Sequence, residues 1–523
     1  MEPLQSSTIL SPSAPTSLPF SSVTLVSILI ASAIALVALS WNKSNIPHVN
    51  PVARFSPKTT EQLKFIKHGV EILNQAKKEF AGRAFRMINN TGEVIVLPTR
   101  FANIIRNEKN LSFALAIKRD FHAHVPGFQP FGVLDHEGEV LQNLTRKQLT
   151  KLLNTVTQPL ASETTFAVHL IYGDSPDWME TNISDSLLEL ISRLSSRVFL
   201  GEELCRNEDW LKITKQYTVD GFVAAQEMTV VPESLRFLLS LFSRRCKAVR
   251  NGLHRAQEII KPVIEKRRLL KEKARKEGVP VPMFNDSIEW AEAECKGISY
   301  DPAYLQLTLS FAAIHTTSDL LSKTMLLLAN DPAQIEPLRE EILRVLKKDG
   351  WSKTALYNLK LVDSTLKEAQ RMMPTDRLSM RRLATKDVHL GEDITIRKGQ
   401  TVMVDGTLNE DPTVYENPGK FDTYRWLRMR NTPEYANKAQ FVTTSPEHLA
   451  FGHGMHACPG RFFAANEMKV ALCHLLLKYD WELAPGTTTE LFTFGTANVV
   501  NPKSMLRYRK RDVEIDLESL GFD

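Results

Sequence analysis

Where its two hydrophobic periodicities fall most limits the folds open to this chain. Apolar residues recur at helical spacing from about residue 61 to about residue 372, just ahead of Pro374. Strand-prone runs gather later, at 388–390, 394–396 and 401–404, separated by Gly391 and the Lys398-Gly399 turn. A second helical stretch covers 462–479. This order excludes an alternating α/β chain and predicts a mostly α domain with a small β portion. With 523 residues, 43% hydrophobic and 24% charged, the chain can bury a sizeable core. The Arg-, Lys- and Glu-rich segment 243–278 reads as solvated helix surface.

The amino terminus follows a different rule. No charged residue occurs from Pro3 to Asn42, and residues 20–41 are apolar enough and long enough to span a bilayer as one helix. A cleaved secretory signal competes with that reading, but the basic n-region is missing and the apolar run is too long. Glu2 precedes the span, whereas Lys43, Arg54 and Lys58 follow it, which places the rest of the chain in the cytosol. The expected organisation is a short lumenal terminus (1–19), a transmembrane anchor (20–41), a linker punctuated by Pro47, Pro51 and Pro57 (42–57), and one large domain (58–523).

Charge and cysteine usage exclude other classes. Lys+Arg exceed Asp+Glu by only 65 to 60, too slight an excess for nucleic-acid binding. The five cysteines (Cys205, Cys246, Cys295, Cys458, Cys473) are widely spaced and form no CxxC pair, which argues against a disulfide framework or a zinc site. A chemically active cysteine here acts alone.

Cys458 is the candidate. It lies in Phe451-Gly452-His453-Gly454-Met455-His456-Ala457-Cys458-Pro459-Gly460, a glycine-dense loop leading straight into a helix. Backbone N–H groups and a helix N-terminus stabilise an anionic sulfur. Glycines let the backbone approach a flat ligand without Cβ clashes. By composition alone, a buried free cysteine in a loop is the commoner outcome. The pattern F-x-x-G-x-[HR]-x-C-x-G resembles the haem-binding signature of the cytochrome P-450 superfamily, matched by Phe451, Gly454, His456, Cys458 and Gly460. The resemblance implies haem b with Cys458 as the axial thiolate, Phe451 packed beside the sulfur and His456 at a haem propionate.

Companion motifs occur in family order. Glu368 and Arg371 are neighbours on one helix face, and the family joins such a pair to an arginine downstream, here Arg425, in a structural charge cluster. The apolar helix expected from Asp301 contains Phe311-Ala312-Ala313-Ile314-His315-Thr316-Thr317, which resembles the family's oxygen-pocket motif. Thr316 then corresponds to the proton-delivering hydroxyl. This chain departs from the pattern with His315 in place of an acid and Ala313 in place of glycine. His315 either relays protons or points elsewhere. Arg382 and Arg146 correspond to family positions that meet haem propionates, although each could equally be an ordinary surface charge.

The fold implied is that of cytochrome P-450, with monooxygenase chemistry. No dinucleotide fingerprint is evident, so electrons are expected from a membrane-bound, flavin-containing NADPH reductase, with Arg428, Arg430, Lys438 and Arg461 on its docking face. The segments expected to line the pocket (121–134, 309–313, 378–380 and 492–495) are mainly apolar and suit a lipophilic substrate from the bilayer. Further likeness to fungal ent-kaurene-oxidase-like enzymes implies a diterpene, indole diterpene or meroterpenoid in secondary metabolism, at the endoplasmic reticulum. Rival readings are a haem-thiolate isomerase or dehydratase without a reductase, a non-catalytic haem-binding protein, and a cysteine hydrolase using His453 or His456.

Overall fold

Capping decides where the central helix begins. Asp301 accepts hydrogen bonds from the N–H groups of Ala303 (2.8 Å) and Tyr304 (3.2 Å), and Pro302 supplies the first helical residue. From there Pro302–Asn330 runs through the core, with Leu305, Leu307, Ile314, Leu321, Met325, Leu326 and Leu328 buried. Each leucine buried this deeply contributes about 1.5–3 kcal/mol. The helix packs against Ile183–Leu204, Arg244–Glu277 and Lys360–Met372. Helix Arg461–Lys478 lies against Leu153–Tyr172 and touches the same centre.

The computed structural model describes residues 45–53 and 56–521, together with Ser32. Apart from Ser32, the apolar segment 20–41 lies outside the described residues; among those described, no helix is long and apolar enough to cross a membrane. Residues from Ile46 onward form one compact unit. Val49 donates to the Arg86 carbonyl (2.9 Å) and Arg86 to that of Pro47 (2.7 Å). Part of the proline-punctuated segment is therefore already built into this unit.

The β portion is larger than the sequence suggested. Its strands are β1 (Phe85–Asn89), β2 (Gly92–Leu97), β3 (Leu111–Ser112), β4 (Met179–Asn182), β5 (Leu378–Ala384), β6 (Val388–Gly391), β7 (Ile394–Ile396), β8 (Thr401–Asp405), β9 (Tyr479–Leu483), β10 (Leu491–Phe494), β11 (Ala497–Val500) and β12 (Met505–Lys510). They form a five-stranded sheet in the order β1-β2-β8-β5-β3, a three-stranded sheet β4-β12-β9, and the hairpins β10-β11 and β6-β7. Strands β1 and β2 fall inside the segment read as helical. Asn89 Oδ1 accepts from the N–H groups of Thr91 and Gly92 and closes the turn between them, a local signal that outweighs the surrounding helical pattern.

Helix Arg244–Glu277 starts at the Ser243 cap and stops at Gly278, in the left-handed conformation. It is not wholly solvated. Arg267 is buried and pairs bidentately with Asp286 (2.9 and 2.6 Å), while Lys271 reaches Glu289 and Glu292.

Candidate active site around the cysteine loop

The cysteine loop takes its shape from one close approach. Gly454 has φ +75°, and a Cβ there would lie 2.3 Å from the Arg106 carbonyl oxygen. Only glycine fits. That contact lets the next residue, Met455, donate its N–H to the Arg106 carbonyl (3.0 Å) and to Asn107 Oδ1 (3.1 Å). Cys458 N–H donates to the Phe451 carbonyl (2.8 Å), folding the loop back on itself. Phe451 packs edge-on against Phe441, with ring centroids 5.2 Å apart.

Gly460 caps helix Arg461–Lys478, so the N–H groups of Gly460 and Arg461 are directed at the Cys458 sulfur. Burial pushes the Cys458 thiol up, while those two N–H groups and the Arg461 guanidinium favour the anion. Arg461 also donates to the carbonyls of Cys458 (2.7 Å) and Val442 (3.1 Å). His453 is committed on both ring nitrogens, to Thr444 Oγ1 (3.0 Å) and Asn103 Oδ1 (3.1 Å). It is not free to act as the base of a cysteine hydrolase.

Beside the loop, three basic side chains converge. A β-bulge between Ser379 and Arg382, with Met380 at φ +52°, re-aims strand β5. Arg382 is 2% exposed. One of its nitrogens, Nη1, donates to the Arg381 carbonyl (2.7 Å), but Nε and Nη2 have no hydrogen-bond partner among the described residues. Burial alone pushes this guanidinium down to about 10. A buried cation with two open donors is costly unless an anion meets it. His456 adjoins it: burial, then Arg382 and Arg146, hold its imidazole down to about 4, against a hydrogen bond with the Leu111 backbone. Arg146, on a π-helical turn, donates to the Met455 carbonyl (3.0 Å). The trio fits a carboxylate-bearing planar group set over Cys458, as haem propionates would be.

On the central helix, Ala312 and Thr316 are exposed although the helix around them is mostly buried. Thr316 Oγ1 donates back to the Ala312 carbonyl (2.8 Å). His315 faces another element, its Nε2 lying 3.0 Å from the Lys215 carbonyl on helix Glu208–Thr229. Burial lowers its pKa, which keeps the ring neutral and the Nε2–H donated to that carbonyl. Of the two alternatives for His315, the geometry shows the one pointing elsewhere.

Phe311, the residue before Ala312, belongs to an aromatic cluster in which Phe121 and Phe131 are buried and Phe222 is exposed. Phe121 stacks on Phe131 (4.5 Å) and meets Phe222 (5.0 Å) and Phe311 (5.4 Å) edge-on. Phe131 meets Phe311 at 5.0 Å and Tyr217 at 5.7 Å. Two expected segments, 121–134 and 309–313, thus come together. Phe222 and Tyr217, from helix Glu208–Thr229, carried no local signal because only tertiary packing brings that helix here. Gly495, in the expected segment 492–495, donates its N–H to the Ile66 carbonyl of helix Lys58–Glu79 (2.9 Å).

The structure brings Glu368, Arg371 and Arg425 together. Arg371 clasps Glu368 through Nε (2.9 Å) and Nη2 (2.8 Å), and Arg425 Nε adds a third bond to Glu368 (2.9 Å). All three are buried. Their remaining donors reach the carbonyls of Asn409, Pro418, Glu416, Asn417 and Lys420, tying helix Lys360–Met372 to the long irregular segment before the cysteine loop. A surface cavity of about 460 Å³ adjoins Arg425 and Arg428, away from Cys458 and Thr316. Among the expected docking residues, Arg428 pairs with Asp422, Arg430 lies 3.4 Å from Asp363, and Lys438 lies 3.9 Å from Glu447.

Comparison with known proteins places these features. The family model described as cytochrome P450 matches residues 63–508. The cytochrome P450 monooxygenase hepE of Aspergillus oryzae is 43% identical over 90% of this chain and 86% of its own. The cytochrome P450 monooxygenase eqxH of Fusarium heterosporum is 41% identical over 91% and 92%, and TRI1 of Fusarium sporotrichioides 37% over 93% and 90%. Among solved structures, the retinoic acid bound cyanobacterial CYP120A1 aligns with a TM-score of 0.61 at 18% identity, over 86% of this chain and 96% of that one. That likeness concerns the fold.

Proposed function

The chain belongs to the cytochrome P450 family, and on that premise we propose that it oxidises a lipophilic, terpenoid-type substrate at the endoplasmic reticulum membrane, with electrons passed from NADPH by a membrane-bound reductase. It is a monooxygenase whose cofactor is haem carried on a cysteine thiolate, and the cysteine in this reading is Cys458. The observation that carries the substrate class is the aromatic cluster of Phe121, Phe131, Phe222 and Phe311, whose accessible members are Phe222 and, in part, Phe311, the residue before the accessible Ala312. Such a surface binds an alicyclic hydrocarbon body through apolar contact and C–H···π approach, with few polar groups to desolvate.

When bound, haem supplies the activation of molecular oxygen that the side chains cannot. The protein's own part is local. The N–H groups of Gly460 and Arg461, directed at the Cys458 sulfur, offset part of the cost that burial sets on an anion there, and iron would supply the rest. Arg382, His456 and Arg146 would hold the propionates, with Arg382 offering two open donors for carboxylate oxygens. Thr316 Oγ1 has its proton on the Ala312 carbonyl, so its lone pairs can accept from a water on the accessible face. It can orient that water for proton delivery, whereas His315, held by Lys215, maintains the spacing of two helices. Glu368, Arg371 and Arg425 act only as scaffold.

Membrane association is supported on two counts. Residues 20–41 have bilayer length. Helix Glu233–Phe242 leaves Leu235, Phe237, Leu238, Leu241 and Phe242 exposed, an apolar face suited to the acyl boundary.

The test is the carbon monoxide difference spectrum of the reduced protein, wild type beside Cys458→Ser. A thiolate-shifted Soret band in wild type alone is expected. Turnover of terpenoid substrates with NADPH and reductase then follows. Haem bound with an unshifted band in both proteins would refute Cys458 as ligand.

A further inference from the structure

Helix Lys360–Met372 grips the segment ahead of the cysteine loop at more points than its charge cluster. Ser364 Oγ accepts from the N–H groups of Trp426 and Leu427 (3.2 Å each). Asp363 Oδ2 accepts from Phe441 N–H (2.9 Å), and its Oδ1 pairs with Lys469 at 2.7 Å. Gln370 Oε1 meets His448 Nε2 at 2.8 Å. The contact closest in sequence to Phe441 on both sides is made by Lys367, which is fully buried. Its Nζ donates to the carbonyls of Lys438 (2.6 Å), Gln440 (2.8 Å) and Thr443 (3.2 Å) and sits 4.5 Å from the centre of the Trp426 ring.

We propose that Lys367 is a positioning residue for the thiolate: its ammonium clamps the carbonyls of residues 438, 440 and 443 and so fixes Phe441 against Phe451, from whose carbonyl Cys458 hangs. The inference rests on Cys458 being the haem ligand. The contacts run unbroken from Lys367 to Cys458. Phe441 lies between the clamped carbonyls and packs edge-on against Phe451 at 5.2 Å, and Cys458 N–H donates to the Phe451 carbonyl at 2.8 Å.

An ammonium suits the task better than a guanidinium or an amide. Its three protons match three carbonyls, and the indole face takes the remaining side. Among the described residues no carboxylate lies within ion-pair distance of Nζ, so its donors are spent on the loop. Burial pushes the amine down to about 7, with Asp363 opposing and Arg430 reinforcing the shift. Arg371 and His448 also adjoin, and His448 is held neutral by burial. Lys438, Gln440 and Thr443 are half-buried and flank the buried Ala439 and Phe441, so removal of the amine frees their carbonyls to move and carries Phe441 with them.

The experiment compares wild type, Lys367→Met and Lys367→Gln as haem-loaded full-length protein. It reads haem per chain, the thiolate-shifted carbon monoxide band, and amide exchange along residues 436–460 in loaded and haem-free protein. For Lys367→Met we expect haem per chain to hold while the shifted band gives way to an unshifted one. Faster exchange should be confined to residues 438–451. Lys367→Gln, with two donors, should retain part of the band, and it decides the matter if the methionine variant does not fold. A full shifted band in both variants, or exchange accelerated across the whole chain instead of in that segment, overturns the proposal. Loss of the band with exchange at 438–443 unchanged overturns it as well. Absence of the shifted band in wild type would instead refute the Cys458 reading.

Discussion

Glu467 offers a quantitative test of how this core treats charge. It sits on helix Arg461–Lys478, fully buried, with Oε1 accepting from Ser195 Oγ at 2.7 Å and Oε2 without a hydrogen-bond partner among the described residues. Burial pushes the carboxyl from the ordinary 4.5 up to about 8, with the Ser195 bond opposing. Between those values the folded chain keeps a proton that the unfolded chain has released. Fewer protons on the unfolded state means that stability falls as pH rises across this window, by about 1.4 kcal/mol per pH unit for one group. Glu467→Gln removes the titration and keeps the shape and the acceptor for Ser195. From about pH 5.5 to about pH 7.5 the variant should therefore gain about 2–3 kcal/mol relative to wild type. The sign of the offset at the acid end depends on how the new amide donors are satisfied, but the slope does not. Urea midpoints followed by tryptophan fluorescence at five pH values would read it. A wild-type-to-variant difference that stays flat across the window would refute the burial argument.

Other outcomes follow from the same geometry. Arg382→Met should act with opposite signs on two states. The haem-free chain loses a buried unpaired cation and melts higher, while haem binding weakens about 10–100-fold, the equivalent of 1.5–3 kcal/mol of charge-assisted bonding. Haem titration beside thermal melts separates the two. Gly454→Ala should cost about 1–3 kcal/mol in backbone strain alone, before the 2.3 Å contact with the Arg106 carbonyl is relieved. Haem retention on gel filtration should fall, and retention equal to wild type would show that the loop does not need this approach.

Much of the site was legible in the sequence because its chemistry is local. The glycines and Cys458 share one short loop, and Glu368 and Arg371 stand at a spacing that any helix turns into adjacency. The start of the central helix at Asp301 could be read because its cap, its proline and its apolar run are contiguous. The hairpin of β1 and β2 was missed although Asn89 and Gly92 mark its turn, because helical spacing dominates the residues on both sides. The sequence left the direction of His315 open, and its contact is a carbonyl about 100 positions away.

Taken alone, then, the order of residues determined the fold class, the cysteine loop and the internal pair of the charge cluster, since each depends on interactions within a few residues. Tertiary structure decided which cations lack partners. Arg382, Lys367 and Arg461 are all basic residues in the sequence, yet one is left with open donors, one clamps three carbonyls and one spends itself on Val442 and Cys458. The physical reason is that desolvation and hydrogen-bond satisfaction depend on what surrounds a group in space, and the nearest carbonyls and aromatic faces here come from segments that only packing brings together.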